Sequence, residues 1–458
     1  MNILHYTIGV PPLRKGGAVN YVVKLAKQQI LDGNQVTILY PGSLKIFSRN
    51  KSSITTTTRR NKINGVNVCV LTNPLPISID NGFYSYNAFT QKRNVDTAIQ
   101  FLKSKKIDIV HLHTITGMPL ELLEYIKKSG IKIFYTTHDY LGISPNRLFY
   151  VDGKDYSNNN TDEFWHIVNN SSKHKKLKTY VFQSRYYPVF RFILKKILNF
   201  VRLNYQSGND TQKEISSFDI SDKERKQIAH IRNYYKKMFS CVDHFLFNST
   251  ISKDVFQHNL KDIDGEVIHI TVLESSNRNL RKKGKKDHRI NIGYIGPYYE
   301  KYKGFYTMYN AAGHYSDQAS FNFVFMGDTK KITEKNNIIN LGMFTNKENA
   351  YSKIDLLVIA SEWKETFGLI GLEAMQNGVP VISSSNAGFK DLVPNRFIYR
   401  NQKELYKILD RINTYNNFCY AYFKQSGKSN LESIKDHSKK IEKIYKRYSC
   451  SMRTENAK

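Results

Sequence analysis

Two glutamates, Glu365 and Glu373, lie eight residues apart around the start of a predicted helix. An apolar run at 354–360 predicts a strand before them, and a helical pattern over 369–377 ends at a glycine and a proline. Free N–H groups and the dipole at a helix N-terminus suit a phosphate, while carboxylates accept hydrogen bonds from hydroxyl groups. The stretch therefore has the groups that a nucleotide-sugar needs. On spacing alone, an ordinary βαβ unit with surface glutamates is the commoner explanation.

The longer pattern E-T-F-G-L-x-x-L-E-A-M-x-x-G-x-P-V-I resembles the E-x7-E signature of the group 1 family of retaining GT-B glycosyltransferases. The resemblance implies that Glu365 contacts the donor sugar and that Glu373 binds the nucleotide ribose. It also implies that the backbone after Phe367, at Gly368 and Leu369, meets the diphosphate. The fold class implied is α/β: two Rossmann-like, doubly wound parallel-sheet domains that face each other across a cleft. The resemblance also implies that no metal or other cofactor is needed, since many members of the family work without one.

Glycines and a lysine are further donor-binding candidates. Gly16 and Gly17 precede a predicted helix, where glycine lets the backbone approach a ligand closely, although the pair would also suit an ordinary tight turn. Gly296 and Lys303 resemble the first loop of the family's C-terminal domain, in which a lysine meets the donor phosphates. The family often has an arginine after that glycine, and this chain has Pro297 there. The G-x-G-x-x-G fingerprint is absent, which disfavours an NAD enzyme.

Histidines follow two predicted strands of the N-terminal half, and ligands of parallel sheets bind beyond such strand ends. A histidine at a strand end is more often structural than functional. The resemblance favours His138 as a residue beside the reacting sugar, and we assign it with Glu365 to the catalytic group. We expect His113 to support the site from behind, and Asp139 either to orient an acceptor hydroxyl or to cap a helix.

The charge of the chain predicts an anionic partner. The 458 residues carry 69 Lys and Arg against 39 Asp and Glu, a formal net charge of +30. Residues 164–209 contain no acidic residue, nine Lys or Arg and ten aromatic residues. An apolar stripe within them, flanked by basic residues, predicts an amphipathic helix on an anionic membrane; its cations are Arg191, Lys195, Lys196 and Arg202. A helix that packs on its own domain is the alternative, and no nucleic-acid motif accompanies the segment.

The expected organisation is an acceptor-side domain at 1–275, with a basic aromatic insertion at about 157–240, and a linker at 276–289. A nucleotide-sugar-binding domain follows at 290–430, and the last helix, within 431–458, crosses back to the first domain. We found no signal peptide, no membrane-spanning run of about 18 apolar residues and no paired cysteines. We therefore expect a cytoplasmic protein, peripheral on the inner face of the membrane.

The predicted function is retaining transfer of a sugar from a nucleotide-sugar to an acceptor hydroxyl, with a lipid-linked glycan of surface polysaccharide synthesis as the expected acceptor. Soluble oligosaccharide acceptors, as in glycogen- or sucrose-type transferases, remain open. A nucleotide-sugar epimerase of GT-B fold, or a non-catalytic basic protein that binds membranes or nucleic acid, is also compatible with the sequence.

Overall fold

A computed structural model shows two parallel-sheet domains. It describes residues 1–45, 50–56, 65–78, 82–171, 176–184, 220–275, 289–412 without 319 and 334, 418–419, 422–423 and 431–455. The four basic residues of the predicted membrane helix lie outside these ranges, as does nearly all of the predicted linker.

The first domain is built on an eight-stranded sheet with the order β10-β9-β6-β5-β1-β2-β4-β3. Its strands are rich in β-branched and aromatic residues that are buried on both faces, as a covered parallel sheet requires. The strands are β1 Asn2–Tyr6, β2 Gln35–Pro41, β3 Ser53–Thr56, β4 Asn67–Thr72, β5 Ile109–Leu112, β6 Lys132–Thr136, β9 His244–Phe247 and β10 Gly265–Val267. A small hairpin, β7 Tyr150–Val151 with β8 Lys154–Asp155, lies apart from the sheet.

The helices of the first domain cover both faces of this sheet. They are α1 Gly17–Leu31, α2 Tyr86–Phe89, α3 Asp96–Lys105, α4 Leu120–Lys128, α5 Asp162–Ser171, α6 Lys176–Phe182, α7 Asp222–Ser240 and α8 Thr250–Asn259. The hydroxyl of Ser249 caps α8 by accepting a hydrogen bond from the amide of Ser252. The first βα unit thus places the Gly16–Gly17 turn at the start of α1, at the carboxyl edge of the sheet.

Two segments differ from the sequence-based expectation. The polar composition of 43–62 predicts a loop, yet Ser53–Thr56 pair antiparallel with β4 as the edge strand. Within segment 157–240, α5 and α7 contribute to the core, whereas Leu177 and Val181 of α6 are exposed. The Trp165 side chain is fully buried, and α7 buries an apolar stripe that includes Ile228, Ile231 and Met238. Lysines and arginines occupy the other face of α7, so the overall composition of the helix is basic and does not reveal the apolar stripe.

The second domain contains a six-stranded parallel sheet with the order β13-β12-β11-β14-β15-β16. Its strands are β11 Ile290–Ile295, β12 Phe321–Met326, β13 Ile338–Gly342, β14 Leu356–Ile359, β15 Val381–Ser384 and β16 Ile398–Tyr399. The helices are α9 Phe305–His314, α10 Lys347–Ser352, α11 Leu369–Gln376 and α12 Gln402–Asp410, with 3₁₀ turns at Lys301–Lys303, Gly388–Leu392 and Asn395–Phe397.

The last helix, α13 Ile434–Glu455, packs on α1 of the first domain. His437 Nε2 lies 2.8 Å from the hydroxyl of Tyr21, and the hydroxyl of Tyr445 lies 2.6 Å from Nδ1 of His111. The chain therefore passes from the first domain to the second and ends on the first. Across the described ranges, every helix is too short or too polar to cross a bilayer.

Candidate functional site

The loop between β14 and α11 is the centre of the candidate site. Gly368 forms the N-cap of α11 with a φ of 109°, a left-handed conformation that favours glycine. The preceding Phe367 is buried, and its ring contacts Phe389 and the first-domain His269. This anchoring holds the first amides of α11, which have no partner within the helix, at the mouth of the interdomain cleft.

Glu365 is held by two neighbours in this loop. The ammonium of Lys303 lies 2.5 Å from its Oε1, and the hydroxyl of Ser361 donates a hydrogen bond to its Oε2. The Glu365 carboxylate is only 13% exposed, so the lysine compensates a charge that is largely removed from water. Lys303 stands at the end of the 3₁₀ turn after β11, next to the ring of Trp363. The pair places one anionic and one cationic group side by side.

The first domain supplies the facing wall. A Cβ atom on Gly17 would lie 2.8 Å from Cδ1 of Leu369, so α1 approaches the start of α11 closely here, and a larger residue would have to displace the end of the Leu369 side chain. The hydroxyl of Thr366 donates to the carbonyl of His138 at 2.9 Å, and the hydroxyl of Ser249 donates to the carbonyl of Thr366 at 2.6 Å. These bonds place β6 and α8 directly against the Glu365 loop.

Together these groups enclose a cleft of about 260 Å³. Its lining includes the predicted site residues Gly17, His138, Lys303, Glu365, Phe367, Gly368 and Leu369. These residues are far apart in the sequence, since they range from the start of α1 to the start of α11. A cleft with a helix N-terminus, a lysine, a carboxylate and an imidazole can accept a phosphate at one end and hydroxyl groups at the other.

Glu373 lies on a neighbouring groove rather than in this cleft. One of its carboxylate oxygens accepts a hydrogen bond from Tyr351 at 3.1 Å, and the other pairs with Lys347. The groove has a volume of about 240 Å³, and Asn20 and Lys24 of α1 form its opposite wall. The two glutamates therefore face different parts of one interdomain surface, because Glu373 lies a full turn inside α11.

The remaining predicted residues flank the cleft. Gly16 is the N-cap of α1, with a φ of 150°, and no atom lies within 4 Å of the position that a Cβ would take. Gly296 follows β11, and its amide donates to the carbonyl of Met326 at 3.0 Å. Lys364, which precedes Glu365 in the loop, lies 3.5 Å from Asp155 of the β7–β8 hairpin.

Buried histidines stand behind His138. Nδ1 of His113 lies 3.1 Å from Nε2 of His138, and Nε2 of His113 lies 3.0 Å from Nδ1 of His5. Burial lowers the pKa of His138 to about 3, so this imidazole is neutral at neutral pH. Burial also raises the pKa of Asp139, although Arg147, 3.6 Å away, and the amide of Leu141 oppose that shift.

Several residues of the site carried no signal in the sequence. Ser361 and Thr366 touch the predicted residues, but single hydroxyl residues in loops have no distinguishing pattern. Asp391 accepts hydrogen bonds from the amide of Thr250 at 2.7 Å and its hydroxyl at 2.6 Å, which joins the second domain to the start of α8. Only the folded arrangement brings these positions together.

Comparison with known families is consistent with this geometry. Residues 15–220 match the model of Glycosyltransferase Family 4, and residues 289–412 match that of Glycosyl transferases group 1. Together the two matches cover more than two thirds of the chain. The chain belongs to the group 1 glycosyltransferases. In this glycosyltransferase, one family match falls in each sheet domain, so the two matches lie on either side of the cleft.

This glycosyltransferase is also similar to individual proteins. An uncharacterized 41.2 kDa protein in the cps region of Klebsiella pneumoniae is 25% identical over 308 residues, which cover 64% of this chain and 65% of that protein, slightly under two thirds of its length. A glycosyltransferase from Rickettsia africae superposes with a TM-score of 0.56 at 13% identity, covering 98% of each chain. HepE of Anabaena, in complex with UDP and glucose, superposes with a TM-score of 0.52 at 12% identity, covering 98% of this chain and 100% of that one. These structures show the GT-B fold.

Proposed function

We propose that this glycosyltransferase moves a sugar from a nucleotide-sugar donor to an acceptor hydroxyl and retains the anomeric configuration. The observation that carries the proposal is the single cleft in which Lys303, Glu365 and the start of α11 face His138 and Gly17 across the domain boundary. The structure of HepE with UDP and glucose, which has the same fold, supports a nucleotide-sugar as the donor.

Each group in the cleft has a task that fits its chemistry. The diphosphate binds at the amides of Gly368 and Leu369 and next to the ammonium of Lys303, which together offset its charge. The carboxylate of Glu365 accepts hydrogen bonds from hydroxyl groups of the donor sugar. His138 lies on the opposite side of that sugar. Glu373 binds the ribose in the neighbouring groove.

The transfer step is a front-face displacement. The bond between the anomeric carbon and the phosphate oxygen breaks, and a bond to the acceptor oxygen forms on the same face. The acceptor proton passes to the departing phosphate oxygen, so no separate protein base is required. As the leaving group gains negative charge, its interaction with Lys303 and the helix N-terminus strengthens, which stabilises the transition state more than the ground state.

The proposed acceptor is a lipid-linked glycan of surface polysaccharide synthesis. The relative in the cps region of Klebsiella pneumoniae supports the pathway class, and the acid-free basic aromatic segment at 164–209 supports an acceptor at a membrane. The proposed location is therefore the inner face of the membrane, to which the chain binds peripherally.

The purified protein is incubated with a panel of labelled nucleotide-sugars, with and without a membrane extract. We expect one donor to be consumed, with label transferred to extractable lipid and the α or β configuration of the donor kept in the product by NMR. Release of free sugar without an acceptor would indicate the epimerase alternative. No turnover of any donor, with or without the extract, would contradict the proposal, and label in water-soluble glycans alone would exclude the lipid acceptor.

A further inference from the structure

A line of buried hydrogen bonds runs from α1 to the cleft. Oε1 of Gln29 lies 2.7 Å from Nε2 of His5, whose Nδ1 lies 3.0 Å from Nε2 of His113. Nδ1 of His113 in turn lies 3.1 Å from Nε2 of His138, which lines the cleft. Gln29, His5 and His113 are buried, whereas His138 is partly accessible. The four residues come from α1, β1 and the carboxyl ends of β5 and β6.

A metal ion is the obvious alternative occupant, because nitrogen atoms of His5, His111 and His113 lie within 4.8 Å of one another. Every ring nitrogen of these three histidines already has a hydrogen-bonding partner. The nitrogens of His111 lie 2.6 Å from the hydroxyl of Tyr445 and 2.7 Å from that of Thr136. A metal would have to break bonds that satisfy buried groups, and no carboxylate of the cluster would offset its charge. Hydrogen bonding explains the cluster better.

The protonation state of the line follows from its burial. Burial lowers the pKa of His5 to about 4, of His138 to about 3, and of His113 well below its usual value, where neighbouring imidazoles add to the effect. At neutral pH each ring therefore carries one N–H. A neutral imidazole has one donor and one acceptor nitrogen, so the state of each ring determines that of the next.

The direction of the line is set at Gln29. Its Oε1 only accepts, so the proton of His5 lies on Nε2 and the Nδ1 of His5 accepts from Nε2–H of His113. Nδ1 of His113 is then an acceptor, and the proton of His138 lies on Nε2. If the Gln29 amide were turned, its NH₂ group would donate to His5, and the proton of each ring would move to the other nitrogen. In the orientation described here, the buried Nε2 of Gln29 makes no hydrogen bond to a described residue. The proton positions of all three rings therefore report the direction.

We propose that Gln29, His5 and His113 are positioning residues that hold His138 in its Nε2–H tautomer, with the Nδ1 lone pair available to the cleft. The inference rests on the proposed function, since it gives the sugar-facing imidazole a defined role. Among described residues, Nδ1 of His138 has no hydrogen-bonding partner. As an acceptor it suits a sugar hydroxyl, which donates, and it would not compete with Lys303 for the phosphate.

The direct test is the nitrogen spectrum of the side chains. The full chain is labelled with ¹⁵N-histidine, and the rings are assigned by single substitutions. We expect pyrrole-type Nε2 and pyridine-type Nδ1 signals for His5, His113 and His138 at pH 7.5. A pyrrole-type Nδ1 on His138 would overturn the proposal. So would one equivalent of zinc that co-purifies with the chain and is lost in His5→Phe.

Two matched pairs of variants test the connection to catalysis. Gln29→Met removes the terminal acceptor at similar volume, and Gln28→Met changes the neighbouring glutamine, whose amide bonds Asp32 outside the line. His5→Phe breaks the line, and His111→Phe removes an equally buried ring that pairs with His5 in the strand register but takes no part in it. Gln29→Met and His5→Phe should mix the tautomers of His138 and lower kcat by about 10- to 100-fold with little change in donor KM.

The controls should leave the His138 signals unchanged. They should also keep kcat within about threefold of the wild-type value, the size of effect expected of a change in packing alone. Equal losses of kcat in His5→Phe and His111→Phe, with unchanged His138 signals, would reduce the line to packing and overturn the proposal. The spectrum is measured without substrate, so a failure of the proposed transferase reaction is distinguishable from a failure of the tautomer assignment.

Discussion

The ammonium of Lys303 lies 2.5 Å from a carboxylate oxygen of Glu365, and the two side chains reach this contact from the loops that follow the second domain's central strands, β11 and β14. In the ligand-free state each charge neutralises the other. When a donor binds, the lysine can meet the phosphate while the carboxylate meets sugar hydroxyl groups. The pair therefore joins the phosphate and sugar parts of the proposed site.

Substitution of either member should impair the chemical step. Glu365→Gln and Lys303→Met are each expected to lower kcat by about 10²- to 10³-fold, the range found when one preorganised electrostatic contact is lost. Because the two side chains act together, the double variant should lose much less than the product of the single losses. Initial-rate kinetics with the preferred donor measures this. Lys301→Met, an exposed lysine on the same 3₁₀ turn, is the control, and full activity in Glu365→Gln would contradict the assignment.

Glu373 should affect donor binding rather than the chemical step. Glu373→Gln removes the partner of Lys347 and the charge beside the proposed ribose position, so the donor KM should rise about tenfold, which corresponds to about 1.4 kcal/mol. The kcat should stay within about threefold of the wild-type value, because the lost contact binds the ground state and the transition state equally. Titration calorimetry with nucleoside diphosphates should show the same weakening. Glu404→Gln, which breaks the ion pair between Glu404 of α12 and the preceding Arg400, is the matched control. A fall in kcat at constant KM would place Glu373 in the reaction instead.

The fold was predictable from the sequence because its signals are local. Apolar strands alternate with amphipathic helices, which predicts parallel sheets covered by helices, and the resemblance carried by the Glu365 segment implies that there are two of them. The Glu365 loop was equally visible, since its residues are contiguous. Glu373 was harder, because eight residues of spacing do not show that a carboxylate one turn inside a helix faces a different groove. Interdomain partners such as Asp391 depend on packing between distant segments, which no local pattern encodes.

Asp391 should hold the domains in their present relation. It accepts two hydrogen bonds from Thr250 and lies 3.2 Å from Nε2 of His269. Burial opposes ionisation, but the bonds from His269 and Thr250 outweigh it and lower the pKa of Asp391. Asp391→Asn removes the negative charge at the N-terminus of α8. Because hydrogen bonds to a charged acceptor are stronger than those to a neutral one, we expect this contact to weaken by about 2 kcal/mol.

We therefore expect the Asp391→Asn chain to open. Small-angle X-ray scattering should show a larger radius of gyration, and kcat should fall because the two walls of the cleft meet less often. Asp317→Asn, at an exposed position of the second domain, is the control with the same chemical change. An unchanged scattering curve together with unchanged kcat would show that other interdomain contacts suffice.

The buried histidines predict a loss of stability in mild acid. Burial lowers the pKa of His5 to about 4 and of His138 to about 3, whereas both titrate near 6.5 in the unfolded chain. Below pH 6.5 the unfolded state therefore binds more protons than the folded state, and the free energy of unfolding falls as the pH drops towards 4. Each histidine contributes up to about 1.4 kcal/mol per pH unit. Between pH 6.5 and 5 ordinary carboxylates stay ionised, and Asp139, whose pKa burial raises, acts in the opposite direction, so a fall in stability in this window reports on the histidines.

Urea unfolding at pH 7.5, 6.5, 5.8 and 5 measures this dependence. In a Trp363→Phe background only Trp165 remains, so its fluorescence reports on the first domain alone, where the buried histidines lie. The midpoint should be steady above pH 6.5 and fall progressively below it. His5→Phe should start from a lower midpoint and show a shallower fall, because one titrating group is gone. A midpoint that is constant down to pH 5 would mean that these rings are protonated in the folded state, which would contradict their neutral hydrogen-bonded arrangement.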